Sequence, residues 1–490
     1  MTIDVIKKQQ VHQHYLMSAP GFIALFLVKN LHALGLTILR CTPLAPRFKV
    51  CINIGHLIEI TGKAVSKLCR KEIFLPSPIE FTAALIFFFA VVHTFSTKYF
   101  ERLAHHHPDH AGLLHLLGEV EVVFGFWSFI LLGFIAVSVG HVQAIEYLES
   151  RHFTEPLFVF VVMVVSASKP ILSVINRLMT ALTIQIPLNR NTVSTWLGLA
   201  LLPILGSLIT EPAAMTLSAL SLSPLVFEKK LPEMFKYGVL GVLFVNVSIG
   251  GTLTSFAAPP VLMVANVWNW NTAFMASNFG WRAVIAVLIN ATVVTWVLRN
   301  HLGKDTEIEL DRQDKIPVAV CLIHLLFLSG IVVFAHHIVV FFGIFMLFLG
   351  FTQAYSHFQN PLILKEGLLV GFFLAGLVVL GGLQHWWLQP ILADLKPTNL
   401  FFGAAALTAL TDNAALTYLG SLVTGLSDQS KYMLVAGAVS GGGLTVIANA
   451  PNPAGVSLLK DCFKDGSIGA GALFLGSLFP TLIAVLAFLI

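Results

Sequence analysis

Thr210-Glu211-Pro212-Ala213-Ala214-Met215-Thr216 and Thr411-Asp412-Asn413-Ala414-Ala415-Leu416-Thr417 decide how this chain is read. Each string sits inside a long apolar run. They match at Thr, Ala, Ala and Thr, conservatively at Glu/Asp and Met/Leu, and the second follows the first by 201 residues. A carboxylate at the centre of a hydrocarbon-length segment costs about 2.5–3.5 kcal/mol on insertion scales. Two of them at equivalent places in two halves point to a paired ion site in a protein built from a repeat.

Composition sets the surroundings of these strings. Apolar residues make up 56% of the 490, charged residues 11%, and mean hydropathy is +0.84. Soluble chains are about one-quarter charged, so too little polar surface exists here to coat a water-soluble body. The length accommodates about ten or eleven membrane spans with short loops. Net charge is +4, and its distribution matters more than its sign, because Lys and Arg orient the spans. Cys41, Cys51, Cys69, Cys321 and Cys462 show no CxxC pair and no metal-like spacing with His, so they read as free thiols. His105-His106-His107, with Pro108, Asp109 and His110, reads as a solvated loop rather than a zinc site.

Residues 1–75 form an N-terminal segment. Its apolar run Pro20–Leu39 holds Lys29, Asn30 and His32 and has no small-residue cleavage site. It reads as a weak first span, followed over 41–75 by a basic amphipathic surface helix. A first repeat is expected over 76–300, a linker over 301–315 and a second repeat over 316–490. In the first, a long run at about 193–227 carries Thr210-Glu211-Pro212, and a broken span follows at about 238–272. In the second, the long run is about 399–427 and the broken span about 432–460.

Charge placement gives the geometry. Arg177 and Arg190 precede the first long run, and Lys229, Lys230 and Lys236 follow it. Both flanks are basic, so both belong on the cytoplasmic side. One straight span cannot start and end on one side; a re-entrant helical hairpin with its tip at Thr210–Pro212 can. Asp394 and Lys396 before the second run, and Asp428 and Lys431 after it, show no cationic excess, as for a hairpin entering from the opposite face. Arg299, Lys304, Arg312, Lys315, Lys365, Lys460 and Lys464 agree with this orientation. The basic 41–75 segment does not, since counting three spans back places it outside. The expected fold is an all-α polytopic membrane protein of two inverted-topology repeats, each with a re-entrant hairpin and a discontinuous transmembrane helix.

A second repeated motif supplies the discontinuity. Gly250-Gly251-Thr252-Leu253-Thr254 and Gly441-Gly442-Gly443-Leu444-Thr445 agree at four of five positions. Each leads into a Pro-containing stretch, Pro259-Pro260 in one half and Asn449-Ala450-Pro451-Asn452-Pro453 in the other. Glycine lets the backbone leave helical geometry, and proline starts a new helix. Freed carbonyls at such a break can coordinate a cation, and half-helix N-termini can face an anion. Glu211 and Asp412 are the only acids in the apolar middles of these four elements. Thr210, Thr216, Thr411, Thr417 and Asn413 offer neutral oxygens beside them, a set suited to Na⁺ or Li⁺. A carboxylate out of water holds a proton or a metal cation but not both well, which suffices for exchange of one for the other. Glu119, Glu121 and Lys169 read as residues of the headgroup boundary.

At these residues the chain resembles the ion transporter superfamily, which includes sodium/proton antiporters of the D type, arsenite exporters and divalent anion/sodium symporters. Gly250 to Thr254 through Pro259-Pro260 is similar to the symporters' Gly-Gly-x-x-Thr…Pro-Pro-Asn signature, and Leu410-Thr411-Asp412-Asn413 to the antiporters' Asp-Asn segment. Over about 77–490 the match is best to the bacterial putative sodium/proton antiporter family. The resemblance implies two inverted repeats, commonly in a homodimer, and substrate movement by displacement of a transport domain against a scaffold. The chain departs from the symporters by having acids at both tips and Val261 where their Asn stands. Both departures favour a cation over an anionic substrate.

The function expected is a secondary active Na⁺/H⁺ antiporter of the bacterial inner membrane, multi-pass. It would bind Na⁺ (or Li⁺) at Glu211 and Asp412 and exchange it for H⁺, with the broken-helix residues Gly250, Gly251, Thr252, Thr254, Gly442, Gly443, Thr445, Asn449 and Asn452 around them. The alternatives are a Na⁺-coupled symporter of a small anion or metabolite and, more remotely, an integral-membrane enzyme using the two acids. No organic cofactor and no nucleic-acid partner is expected.

Overall fold

The computed structural model describes residues 76–303 and 316–490, together with the backbone of three short strands, β1 (Thr37–Leu39), β2 (Lys49–Asn53) and β3 (Ile73–Phe74). β1 pairs antiparallel with β2, and β2 with β3. Where a first span and a surface helix were expected, these residues are therefore strands; Thr37, Ile38, Val50, Ile52 and Ile73 are the β-branched residues that favour this. The rest of both expected elements, and the linker after Gly303, lie outside the described residues. The chain divides into a unit of residues 1–85 and a unit of residues 86–490.

Helix α1 (Pro78–His106) opens on a capping box: Ser77 Oγ accepts from the Glu80 amide at 3.2 Å and Glu80 Oε2 from the Ser77 amide at 2.8 Å. It runs through His106, so His105 and His106 of the stretch expected in a loop are helical, and a 3₁₀ turn follows at Pro108–His110. Next come α2 (Ala111–Gly118), α3 (Val120–Ser138), α4 (His141–Glu149), α5 (Thr154–Ser166) and α6 (Lys169–Gln185), the last two meeting at a 61° bend. After them follow α7 (Arg190–Leu199), α8 (Leu201–Ile209), α9 (Glu211–Leu222), α10 (Glu233–Gly250), α11 (Pro259–Ala265) and α12 (Trp281–Leu298). Past the linker stand α13 (Val318–Val333), α14 (Ile338–Ala354), α15 (Leu364–Gly381), α16 (His385–Leu392), α17 (Pro397–Thr408), α18 (Asn413–Ser421), α19 (Asp428–Gly441), α20 (Asn452–Leu459) and α21 (Ala470–Leu489).

Among the described residues, seven helices are long and apolar enough to cross a membrane, and the bent pair α5–α6 makes eight. The sequence offered ten or eleven. α13 and α14 are apolar but shorter than 18 residues, and the run at 399–427 is divided between α17 and α18. A crossing helix needs about 20 residues.

Two helix–turn–helix units close on themselves. The first runs α7–α8–turn–α9. Its start and its end meet at one place: Asn191 Nδ2 and Lys229 Nζ both donate to the Leu302 carbonyl, at 3.1 and 2.7 Å, and Asn189 Nδ2 donates to Gly303 O at 3.1 Å. The second runs α17–turn–α18. Gln389, before it, donates to Thr424 O and accepts from Thr424 N, both at 2.9 Å, after it.

α8 packs on α10 and α17 on α19, each within its own half of the sequence. α9 packs on α20 as well as on α10, and α18 on α11 as well as on α19, so these helices make contacts across the halves. The main core gathers around α10, where Phe227, Phe244, Phe279, Phe401 and Phe488 are almost fully buried. In lipid such packing stabilises through dispersion contacts rather than release of water.

Candidate functional site

Both helix-long breaks expected from glycine and proline are present. α10 ends at Gly250, a 3₁₀ turn covers Gly251–Leu253, and the chain is non-helical until α11 begins at Pro259-Pro260. α19 ends at Gly441, the chain opens through Gly442–Thr445, a 3₁₀ turn covers Val446–Ala448, and α20 begins at Asn452-Pro453. Each break is tied to the arm beside it: Thr254 Oγ1 donates to Ser207 O at 2.7 Å, and Thr445 Oγ1 donates to Ala409 O at 2.9 Å. Thr252 Oγ1 turns back to Ile249 O at 2.6 Å. Asn452 Nδ2 satisfies two carbonyls freed by the second break, Gly442 O at 2.8 Å and Thr445 O at 2.9 Å.

Glu211 is the first residue of α9, and no part of it is exposed. Its Oε2 accepts from Asn449 Nδ2 at 2.9 Å. Its Oε1 has no hydrogen-bond partner among the described residues. The carboxylate lies so close to the first break that a Cβ on Gly251 would stand 2.6 Å from Oε1. A larger residue there would have to displace the Glu211 side chain.

Asp412 plays a different local part. It is the N-cap of α18, and its Oδ1 accepts from the amides of Ala414 at 2.8 Å and Ala415 at 3.1 Å. The Ala450 amide also faces this carboxylate. One short stretch of the second break, Asn449-Ala450, thus lies beside both acids: the Asn449 side chain bonds Glu211, and the Ala450 main chain is near Asp412. Glu211 and Asp412 are near enough for their charges to interact. Asp412 is half-buried and borders a cavity of about 280 Å³, which Glu211 does not line.

Asn413 is fully buried with neither its oxygen nor its nitrogen paired among the described residues, and a Cβ on Gly442 would lie 2.9 Å from Asn413 Nδ2. Ser248 of α10 also meets Gly442 and donates to Val439 O at 2.8 Å, so the two broken helices cross here. A Cβ at Gly443 would run into Val245 of α10. Among the described residues, four buried oxygens near the breaks therefore lack a donor: Glu211 Oε1, Asn413 Oδ1, Asn449 Oδ1 and Asn452 Oδ1. An unmatched buried polar group costs about 1–3 kcal/mol. A cation would offset that cost.

Thr210 has φ 79° and ψ 151°. That backbone region is essentially reserved for glycine and costs on the order of 1–3 kcal/mol; a β-branched residue in it is a genuine outlier. Thr210 Oγ1 lies 3.4 Å from Ser166 Oγ, at the bend between α5 and α6. The remaining threonines turn to their own helices: Thr216 Oγ1 donates to Pro212 O at 3.0 Å, Thr411 Oγ1 to Leu407 O at 3.0 Å, and Thr417 Oγ1 to Asn413 O at 3.1 Å. Their hydroxyl protons are therefore spent within the helices.

Some polar residues had no place in the sequence reading. Asn290 Nδ2 donates to Asn246 Oδ1 at 2.9 Å, and Asn246 Nδ2 to Leu199 O at 2.8 Å, linking α7, α10 and α12 behind the site. Single asparagines in apolar helices were the available signal. Glu121, read as a boundary residue, stands on α3 close enough to act on Asp412. Among the described residues no three His, Cys, Asp or Glu side chains group as a metal site.

The chain belongs to the family described as "Putative Na+/H+ antiporter". The family's model matches residues 78–490, from the first residue of α1 to one residue past α21. No curated protein matches the chain. The match to this antiporter family takes in both acids, both breaks and every apolar helix named above, and leaves out β1–β3. With seven or eight span-length helices, this family member is a multi-pass membrane protein.

Proposed function

We propose that this protein is a cation/proton antiporter that carries Na⁺ (or Li⁺) against H⁺ at Glu211 and Asp412, in a bacterial inner membrane. The observation that carries the reading is the Asn449-Ala450 segment, which joins the two acids at the crossing of two broken helices. Family membership supports the reaction class.

The two closed helix–turn–helix units are re-entrant hairpins of inverted repeats. Three features support this: each unit starts and ends at one place, each arm lies beside its own broken helix, and each outgoing helix also lies on the opposite one. The tips thereby share partners across a pseudo-two-fold axis, and each acid sits on the second half's break.

Exchange follows from competition. With Na⁺ present, Glu211 Oε1, Asn449 Oδ1 and Asn413 Oδ1 supply oxygens from which a partly dehydrated cation is built into the protein. With Na⁺ gone, a carboxylate left in the interior needs a proton instead. The protein can neutralise the pair with either ion but not with both, which couples their fluxes. Thr216 and Thr417 donate their hydroxyl protons to Pro212 O and Asn413 O and keep lone pairs on Oγ1 for a cation.

The test is proton flux in proteoliposomes after a Na⁺ step. Glu211→Gln and Asp412→Asn each should reduce exchange by roughly a hundredfold, about 2.7 kcal/mol of lost coupling. Full exchange in either variant would overturn the assignment of that residue. Na⁺-dependent uptake of an anion with no proton movement would overturn the antiport reading.

A further inference from the structure

The cavity beside Asp412 has the wrong lining for a passage of hydrated Na⁺. Phe87 of α1, Phe124 of α3, Phe373 of α15, Trp387 and Ile391 of α16 and Leu416 of α18 are among the apolar residues that line it. Two threonines line it, and both have committed their hydroxyl protons: Thr94 Oγ1 donates to Val91 O at 2.6 Å and Thr411 Oγ1 to Leu407 O at 3.0 Å. The Trp387 indole donates to Gln384 Oε1 at 2.8 Å. Asp412 is the only charged residue among those lining it. A small ion entering this space would exchange its water shell for hydrocarbon before reaching the carboxylate, at high cost.

We infer that this cavity is a binding site for a compact hydrophobic organic cation, whose apolar body fills the aromatic wall and whose positive charge faces Asp412. Its about 280 Å³ sits just below the common range of roughly 300–1,000 Å³ for ligand pockets, so the ligand is small: one ring or a few short alkyl groups around a nitrogen. Apolar walls with one fixed polar group are the usual composition of such sites. Aromatic rings also attract a cation's positive face. Charge complementarity selects this occupant over a lipid acyl chain, which would gain nothing from Asp412. Such a ligand would take the carboxylate assigned above to Na⁺ and H⁺, and that one consequence rests on the proposed function. The binding itself does not.

The experiment uses the purified full-length chain in detergent, without an ion gradient, and two probes. Benzyltrimethylammonium carries a permanent charge; neopentylbenzene is its neutral carbon isostere. The charged probe should bind saturably and displaceably, at least roughly tenfold more tightly than the neutral one. Asp412→Asn should erase that preference. Ala415→Phe, which places a ring in the cavity, should remove binding of both probes. Equal affinity of wild type for the two probes would overturn the proposal and mark the cavity as an apolar or lipid-filled space. Absence of saturable binding of the charged probe would overturn it as well. The comparison of probes on wild type needs no variant to fold. Because no flux is measured, failure here leaves the exchange assay to stand or fall separately.

Discussion

The two tips share a sequence pattern and use it differently. At the first, the acid is the opening residue of α9, fully buried, and the strained residue before it, Thr210, caps without a side-chain bond. At the second, the acid is itself the cap of α18, half-buried at a cavity, with ordinary backbone at φ −76°. The arms α8 and α9 pack closely, whereas α17 and α18 touch at few points. An aligned Glu/Asp pair thus becomes one sealed carboxylate and one that borders an apolar cavity.

The sharpest way to break this comparison is chemical access. With cysteine at either position, maleimide should label Asp412→Cys faster than Glu211→Cys by roughly a hundredfold, the ratio that about 2.7 kcal/mol of opening free energy gives. Equal rates would end the distinction between the sealed acid and the one at the cavity.

The next test concerns what holds the sealed acid. Asn449→Ala removes the one side-chain donor to Glu211 and should lower stability by about 1–3 kcal/mol, read as a drop in melting temperature in detergent. Asp412→Asn should change it by no more than a few tenths, because Asn caps a helix as well as Asp does. That near-neutrality also makes Asp412→Asn a clean variant for flux.

A smaller effect tests the backbone. Thr210→Gly relieves a conformation costing on the order of 1–3 kcal/mol and gives back about 0.5–1 kcal/mol in chain entropy, so the protein should be stabilised by up to about 2 kcal/mol. Thr411→Gly, with no such strain to relieve, should destabilise by about 0.5–1 kcal/mol. Opposite signs in the two melting curves are expected. The same sign in both would show that the tips are conformationally alike.

The pairing of strings at 210–216 and 411–417, and of glycine motifs at 250–254 and 441–445, was legible because each violates the rule of its surroundings. Carboxylates and helix-breaking glycines are costly in an apolar run, so their recurrence in register carries information at the level of single residues. The breaks in α10–α11 and α19–α20 stand where glycine and proline put them. The span count was less legible: hydropathy counts apolar runs, and it does not distinguish a crossing helix from α17 and α18, which divide one run between them. The histidine stretch read as a loop because its residues are polar, yet helix α1 extends into it.

By itself the sequence determined a membrane-embedded chain, two acid-bearing turns and two interrupted helices, since those follow from composition and from residues that act on their own backbone. Only the tertiary structure decided that Asn449 serves Glu211 from 238 positions away, that Thr210 is strained, that Asp412 borders an apolar cavity and Glu211 does not, and that Glu121 joins their neighbourhood. Such properties belong to pairs of distant residues and to the space between helices, and local patterning contains no term for either.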